Sequence, residues 1–294
     1  MIGKNRSFYN KEFTEEKYNT FLQDIIDEFK YVPKFKISET PAFIPKDLKN
    51  KLIAACDEIM AVINQPNFKE LTNGAFFDKN TIVPNEDENA KFLQLDFGIC
   101  KDENGNLVPK LIELQGFPSL YFFQELLGRK YRKHFGNAIP ENYSQHLNGM
   151  TNHDYVELLR QEIVGDTNPK QVILLEIEPE KQATAIDFYA TEAKLGIKVL
   201  CISKLIKKGK ELFYLDAEGK EIKVLKIYNR IIFDELFQRD DLQREFDFLD
   251  EVDVTWIGHP NWFYRISKYT MPLLKGEFVP KSFYLNELKE IPED

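Results

Sequence analysis

In the stretch Lys91–Leu120, KFLQLDFGICKDENGNLVPKLIELQGFPSL, the polar residues have the types and spacing to hold a hard cation. Gln94 and Asp96 precede an Asn104-Gly105 pair, and Glu113 and Gln115 follow it. Asn-Gly favours a two-residue hairpin loop, which sets Asp96 opposite Glu113 and Gln94 opposite Gln115. Two carboxylates directly opposed destabilise a bare sheet, and a divalent cation removes that repulsion. Carboxylates with an amide oxygen form a set that Mg²⁺ accepts, often sharing the site with substrate phosphates. The same spacing also suits a solvated hairpin whose acids face water.

The strands that carry these residues can be read from their alternation. Side chains along a strand point to opposite faces in turn, so Leu93, Leu95 and Phe97, with Ile112 and Leu114, are expected on the core side. Pro109 falls opposite Cys100 and has no amide proton, so a bulge or edge position there could shift the pairing.

At these residues the chain resembles the glutathionylspermidine synthases and related circularly permuted ATP-grasp ligases. That family carries Arg-x-Asp-Phe, a Gly-containing turn, and Lys-Leu-Leu-Glu-x-Asn-Ala-Asp-Thr-Pro-Thr. The corresponding text here is Gln94-Leu95-Asp96-Phe97 and Lys110-Leu111-Ile112-Glu113-Leu114-Gln115-Gly116-Phe117-Pro118-Ser119. The resemblance implies that Asp96, Glu113 and Gln115 hold Mg²⁺ on the phosphates of ATP, with Gln94 and Ser119 toward the substrates. The chain departs from the family where Gln94 replaces a catalytic Arg, Gln115 replaces the Asn, and the loop before Pro118 is shorter and lacks its Asp.

The balance of the whole chain narrows the classes. Its 294 residues suggest two or three lobes. A net charge of -9 argues against non-specific binding to nucleic acid or an anionic membrane. Cys56, Cys100 and Cys201 are isolated, without CxxC, so neither a disulfide framework nor a zinc site is suggested and a reducing cytoplasm fits. There is no apolar signal core and no membrane-spanning run. GxSxG, P-loop and GxGxxG motifs are absent.

Four stretches are expected. Residues 1–90 form a helical N-terminal layer, with helices over Lys11–Phe29 and Asp47–Ile63 and a polar loop at Pro84–Asn89. Residues 91–150 hold the hairpin and a helix opening at Pro118-Ser119, whose N-terminus could receive an anion. Residues 151–260 form a Rossmann-like α/β domain. There QVILLEI, a helix closed by Gly196, and the strand Lys198–Ser203 read β-α-β with parallel pairing. A hairpin turning at Glu218-Gly219, the strand KIYNR, a helix over Phe233–Phe248 and a strand at Val252–Ile257 follow. Arg230 lies just beyond a strand's carboxyl end, where open α/β sheets place ligand-binding groups, and is suited to a substrate carboxylate or to an ion pair with Asp234 or Glu235. Residues 261–294 resemble the start of the nucleotide-binding lobe: Ser267 and Lys268 match the Ser and Lys of the family's Trp-x-x-Leu-Ser-Asn-Lys, which implies a place for both near the phosphates.

The expected fold class is therefore α/β with α+β elements, a partial circularly permuted ATP-grasp fold with a Rossmann-like pre-ATP-grasp domain. The resemblance implies an ATP-dependent carboxylate–amine ligase using ATP and Mg²⁺ on a small-molecule carboxylate and amine. Arg230 or Lys268 would supply the positive charge that Gln94 cannot. The alternative is a non-catalytic binding or scaffold protein that keeps the fold. The family's Tyr-Val-x-Lys-Pro strand and glycine-rich loop have no counterpart before Glu290-Ile291-Pro292-Glu293-Asp294, so weak ATP binding, or none, by these residues alone is expected.

Overall fold

The computed structural model describes residues 3–290; Ile291–Asp294, at the expected stopping point, lie outside them. The chain begins with helices α1 (Gly3–Glu12) and α2 (Glu15–Phe29). Thr14 separates them: its extended backbone and its hydroxyl, which accepts from the Lys17 amide at 3.2 Å, make it the N-cap of α2. The expected single helix from Lys11 therefore starts later. Next come α3 (Lys46–Ile63), α4 (Phe68–Leu71), and the strands β1 (Gln94–Lys101) and β2 (Leu107–Gln115). Helices α5 (Tyr121–Phe135) and α6 (Asn152–Ile163) lead into β3 (Val172–Glu176), α7 (Ala185–Leu195) and β4 (Lys198–Cys201). The strands β5 (Ile206–Lys208), β6 (Glu211–Leu215), β7 (Glu221–Val224) and β8 (Lys226–Asn229) follow. The short helix α8 (Phe233–Leu236), β9 (Thr255–Ile257), α9 (Asn261–Arg265) and a 3₁₀ turn over Lys268–Leu273 complete the main elements.

These elements form two compact units, each assembled from two separate stretches. One takes the chain up to Pro45 together with Ser119–Ile257, and the other takes Lys46–Pro118 together with Gly258 onward. The first contains a four-stranded sheet in the order β4-β3-β8-β9, parallel throughout. Its central strand β3 is wholly buried, which is why VILLE reads as an unbroken apolar run up to its terminal acid. Gly196, with φ 71°, ends α7 in the left-handed conformation. The β-α-β unit and its parallel pairing are as expected from the sequence. Beside it, β5, β6 and β7 form an antiparallel sheet.

A second layer of this unit is helical. Phe21 and Ile25 of α2 join Phe123, Leu126 and Tyr131 of α5 in one buried cluster. Lys130, almost fully buried, reaches Asp24 at 2.9 Å and Glu28 at 2.7 Å, so α2 and α5 are tied by charge as well as by packing. The expected helix over Phe233–Phe248 is corrected to the single turn α8. Phe246 and Phe248 are both fully buried, and Phe248 meets Phe233 edge-on at 5.5 Å. Residues two apart on a helix point to different faces, and the irregular path after α8 brings both rings into the core.

In the second unit, Ile59 and Ile63 of α3 pack with Leu111, Leu114, Trp262, Ile266, Met271 and Leu274 beneath the β1–β2 hairpin. Pro84–Asn89 is more than a polar loop. Glu86 takes Arg265 through two bonds, Nε at 2.5 Å and Nη2 at 3.0 Å, and Asp87 accepts the indole proton of Trp262 at 2.6 Å. Glu86 and Asp87 of PNEDEN thus anchor α9.

Candidate functional site

The hairpin turn differs from the expected one. Lys101 pairs with Leu107, the Asp102 amide donates to the Asn106 carbonyl at 2.9 Å, and Gly105, with φ 81°, donates to the Asp102 carbonyl at 2.9 Å. This is a three-residue loop ending in a left-handed glycine. The Asp102 carboxylate receives the amides of Asn104 and Asn106, at 2.9 and 2.7 Å. The longer loop shifts the register by one residue, so Pro109 faces Ile99 instead of Cys100.

A bulge restores it. Phe97 pairs with Leu111 while Asp96 pairs with Glu113, leaving Ile112 as the extra residue. Ile112 is therefore 59% exposed and Leu111 only 2%, which corrects the expected assignment of Ile112 to the core. Leu111 also gives its amide to Phe278 at 2.8 Å, so a tertiary contact fixes which residue turns inward. Beyond the bulge, Asp96 opposes Glu113 and Gln94 opposes Gln115, the pairs expected from the sequence.

These side chains converge. The Gln115 amide nitrogen donates to Glu113 Oε1 at 3.0 Å and lies 3.4 Å from Asp96 Oδ2, bridging the two acids. Gln94 donates to Asp96 Oδ1 at 3.0 Å. Lys268 brings its Nζ to 3.2 Å from Glu113 Oε2. The Lys268 ammonium and the Gln115 amide hold the Glu113 carboxyl below its ordinary pKa. Ser267 does not face the acids through its hydroxyl, which accepts from the Tyr269 amide at 3.2 Å and donates to the Tyr264 carbonyl at 2.8 Å. It caps the 3₁₀ turn that Lys268 opens.

Among the described residues no group of three or more His, Cys, Asp or Glu side chains converges as metal ligands. A cation at the hairpin would thus rely on two carboxylates and an amide. This set fits Mg²⁺, because all the ligands are hard oxygens once the Gln115 amide is turned to present Oε1 between the carboxylates it now bridges. Gly116, next in the chain, lets the sheet meet α9 closely. A Cβ there would come within 2.5 Å of the Trp262 carbonyl oxygen and 2.7 Å of Ile266 Cβ.

Arg230 and Ser119 belong to the first unit. Ser119 does not open α5: Leu120, left-handed with φ 69°, precedes the helix. The amide of Phe123 in its first turn is instead taken at 2.8 Å by Asp187, a buried acid of α7 whose pKa burial pushes up. That helix end already holds an intramolecular carboxyl group, a feature that the sequence did not reveal. Arg230 follows β8 and gives its backbone amide to Leu175 at 2.9 Å. Its charge acts on Asp187, Glu176, Tyr121 and Tyr228. Burial raises the Glu176 carboxyl to about 8, against the opposing pull of the Ile177 amide and Arg230. Glu176 ends β3 and Arg230 follows β8, the neighbouring strands between which the parallel sheet changes direction of growth. Glu176 was missed, although an acid at the end of an apolar strand run was its signal. Glu235, one partner considered for Arg230, accepts from Gln182 at 2.7 Å.

No protein-family model matches the chain, and no curated protein matches it. Among solved structures it is similar to a glutathione synthetase-like effector from Globodera pallida, solved in its apo form. The TM-score is 0.58 at 14% identity, over 91% of this chain and 68% of that one. The likeness is one of fold. It shows a shared fold and does not single out glutathionylspermidine synthase. The mixed architecture, with parallel and antiparallel sheets and helical layers, belongs to an ATP-grasp-like α+β class.

Proposed function

We propose that this chain acts as an ATP-dependent ligase that joins a small-molecule carboxylate to an amine. One observation carries the reading: in a glutathione synthetase-like fold, Asp96 and Glu113 face one another on a hairpin and share the Gln115 amide between them. Bound there with ATP, Mg²⁺ would supply charge neutralisation for the phosphates. Asp96, Glu113 and Gln115 would hold it, with Gln94 orienting Asp96. In the reaction, a substrate carboxylate oxygen attacks the terminal phosphorus of ATP and ADP leaves. The amine then attacks the acyl carbon of the acyl phosphate, releasing phosphate and a proton. Arg230 is assigned to the substrate carboxylate and to developing negative charge, as guanidinium forms paired bonds to carboxylates. Lys268, beside Glu113, is assigned to the nucleotide side with Ser267 holding the turn it opens, and Gln94 to the substrate side. Catalysis of this kind consists mainly of positioning and electrostatic stabilisation.

The cysteines among the described residues are free, in keeping with a reducing cytoplasm as the proposed location. No helix among the described residues is long and apolar enough to cross a membrane.

The test is phosphate release from Mg-ATP by the full natural chain, offered panels of short peptides, amino acids and polyamines. Release that requires both an acid and an amine, and that falls by orders of magnitude in Arg230→Ala, is expected. A second reading, a binding or scaffold protein that keeps the fold without turnover, is favoured by Gln94 where the resembled family has its Arg. The similar protein from Globodera pallida is itself an effector. Mg-ATP binding without phosphate release under any pair would establish that reading instead.

A further inference from the structure

Lys268 stands where the acidic hairpin face needs positive charge. Its backbone is set by the turn it opens: Ser267 caps that turn, and the Thr270 hydroxyl donates to the Arg265 carbonyl at 2.6 Å. From this fixed base the side chain reaches the hairpin, and its Nζ takes Glu113 Oε2 at 3.2 Å while Gln115 takes Oε1 at 3.0 Å. Both oxygens of Glu113 are thus engaged by the chain's own donors.

We propose that Lys268 is a built-in competitor for the divalent cation at Asp96 and Glu113, so that metal binding and the Lys268–Glu113 ion pair exclude each other. The inference rests on the metal reading above. An ammonium ion and a divalent cation cannot both occupy the space at Glu113 Oε2, and like charges so close repel. The coupling is modest because the pair is open to water: the Lys268 side chain is 75% exposed and that of Glu113 30%. Exposed pairs contribute little, and a factor of about two to five in metal affinity is the expected scale. Lys268 therefore tunes the site instead of closing it. Once released, its flexible stem leaves a cation beside the metal, available to an anion that arrives with it.

The test uses Mn²⁺ as the probe, with free ion followed by electron paramagnetic resonance at low salt, on the full chain. Lys268→Met should bind Mn²⁺ about two- to fivefold more tightly than the parent protein, Lys268→Arg should stay near it, and Glu113→Gln should lose binding. In a separate NMR measurement of lysine side chains, Mg²⁺ should shift the Lys268 Cε–H signals of the parent protein, as loss of its ion pair requires. Equal or weaker Mn²⁺ binding by a folded Lys268→Met, with Glu113 still required, would overturn this inference and leave the metal reading intact. Absence of Mn²⁺ binding in the parent and in folded Lys268→Met, both without and with ATP, would overturn both.

Discussion

Glu86→Ala tests whether the acidic PNEDEN segment holds the second unit together. The Arg265 guanidinium is nearly buried and makes two bonds to Glu86; it also donates to the Lys69 carbonyl at 2.6 Å, Asn73 Oδ1 at 3.0 Å and Thr72 Oγ1 at 3.2 Å. Removing one partner of a buried ion pair costs roughly 3–5 kcal/mol, because the other charge is left without its counter-ion. Three acceptors and the face of Phe76, 4.9 Å from the guanidinium carbon, survive the substitution, as does the Asn261 bond to the Val83 carbonyl at 3.1 Å. The lower end, about 3 kcal/mol, is therefore expected. The two tryptophans make the measurement selective, since Trp256 lies in the first unit and Trp262 in the second. In a Trp256→Phe background, urea unfolding followed by Trp262 fluorescence reports on the second unit. Burial pushes the Glu86 carboxyl up, but its bonds to Arg265 and Asn261 outweigh this and leave its pKa lowered. Its stabilisation is thus present above the unfolded carboxylate value and is lost as the pH falls through the folded one, so parent and variant should converge in acid. A loss below about 1 kcal/mol at neutral pH would refute the clamp.

Glu176 gives the opposite pH signature. Its folded pKa of about 8 lies above the unfolded value of 4.5, so the folded state binds the extra proton and stability should decline between those limits; Glu176→Gln should flatten that decline in urea titrations across the range. Gly116→Ala should destabilise the second unit by more than about 1 kcal/mol, since its Cβ would press on the Trp262 carbonyl and Ile266, neither of which can swing aside. An unchanged unfolding midpoint would show that α9 shifts without cost.

Local chemistry made much of this protein legible. The three- and four-residue spacing of apolar residues in α3, the continuous apolar run of β3 and the glycine after α7 each specify their element through short-range sterics and burial. The opposition of Asp96 and Glu113 was also anticipated, but from a turn one residue too short. The bulge at Ile112 compensated for the difference. The sequence did contain the clue to the real turn: Asp102-Glu103-Asn104-Gly105 and Asp216-Ala217-Glu218-Gly219 share an Asp-x-x-Gly pattern. Both turns have an Asp carboxylate accepting local amides and a glycine at positive φ.

Other features depended on partners far away in the chain. Nothing near Leu111 shows that its amide will meet Phe278, yet that bond and the space beneath the hairpin turn Leu111 inward and Ile112 out. Nothing in PNEDEN distinguishes acids that face water from acids that meet Arg265 and Trp262. Asp187 and Phe123 are likewise brought together only by the packing of α7 beside α5. A strand's period and a turn's conformation are set by atoms a few bonds apart, so the sequence by itself determined them. Which carboxylate is buried, which helix end it satisfies and which ammonium reaches Glu113 depend on desolvation and charge between distant segments, and only the tertiary structure decided those.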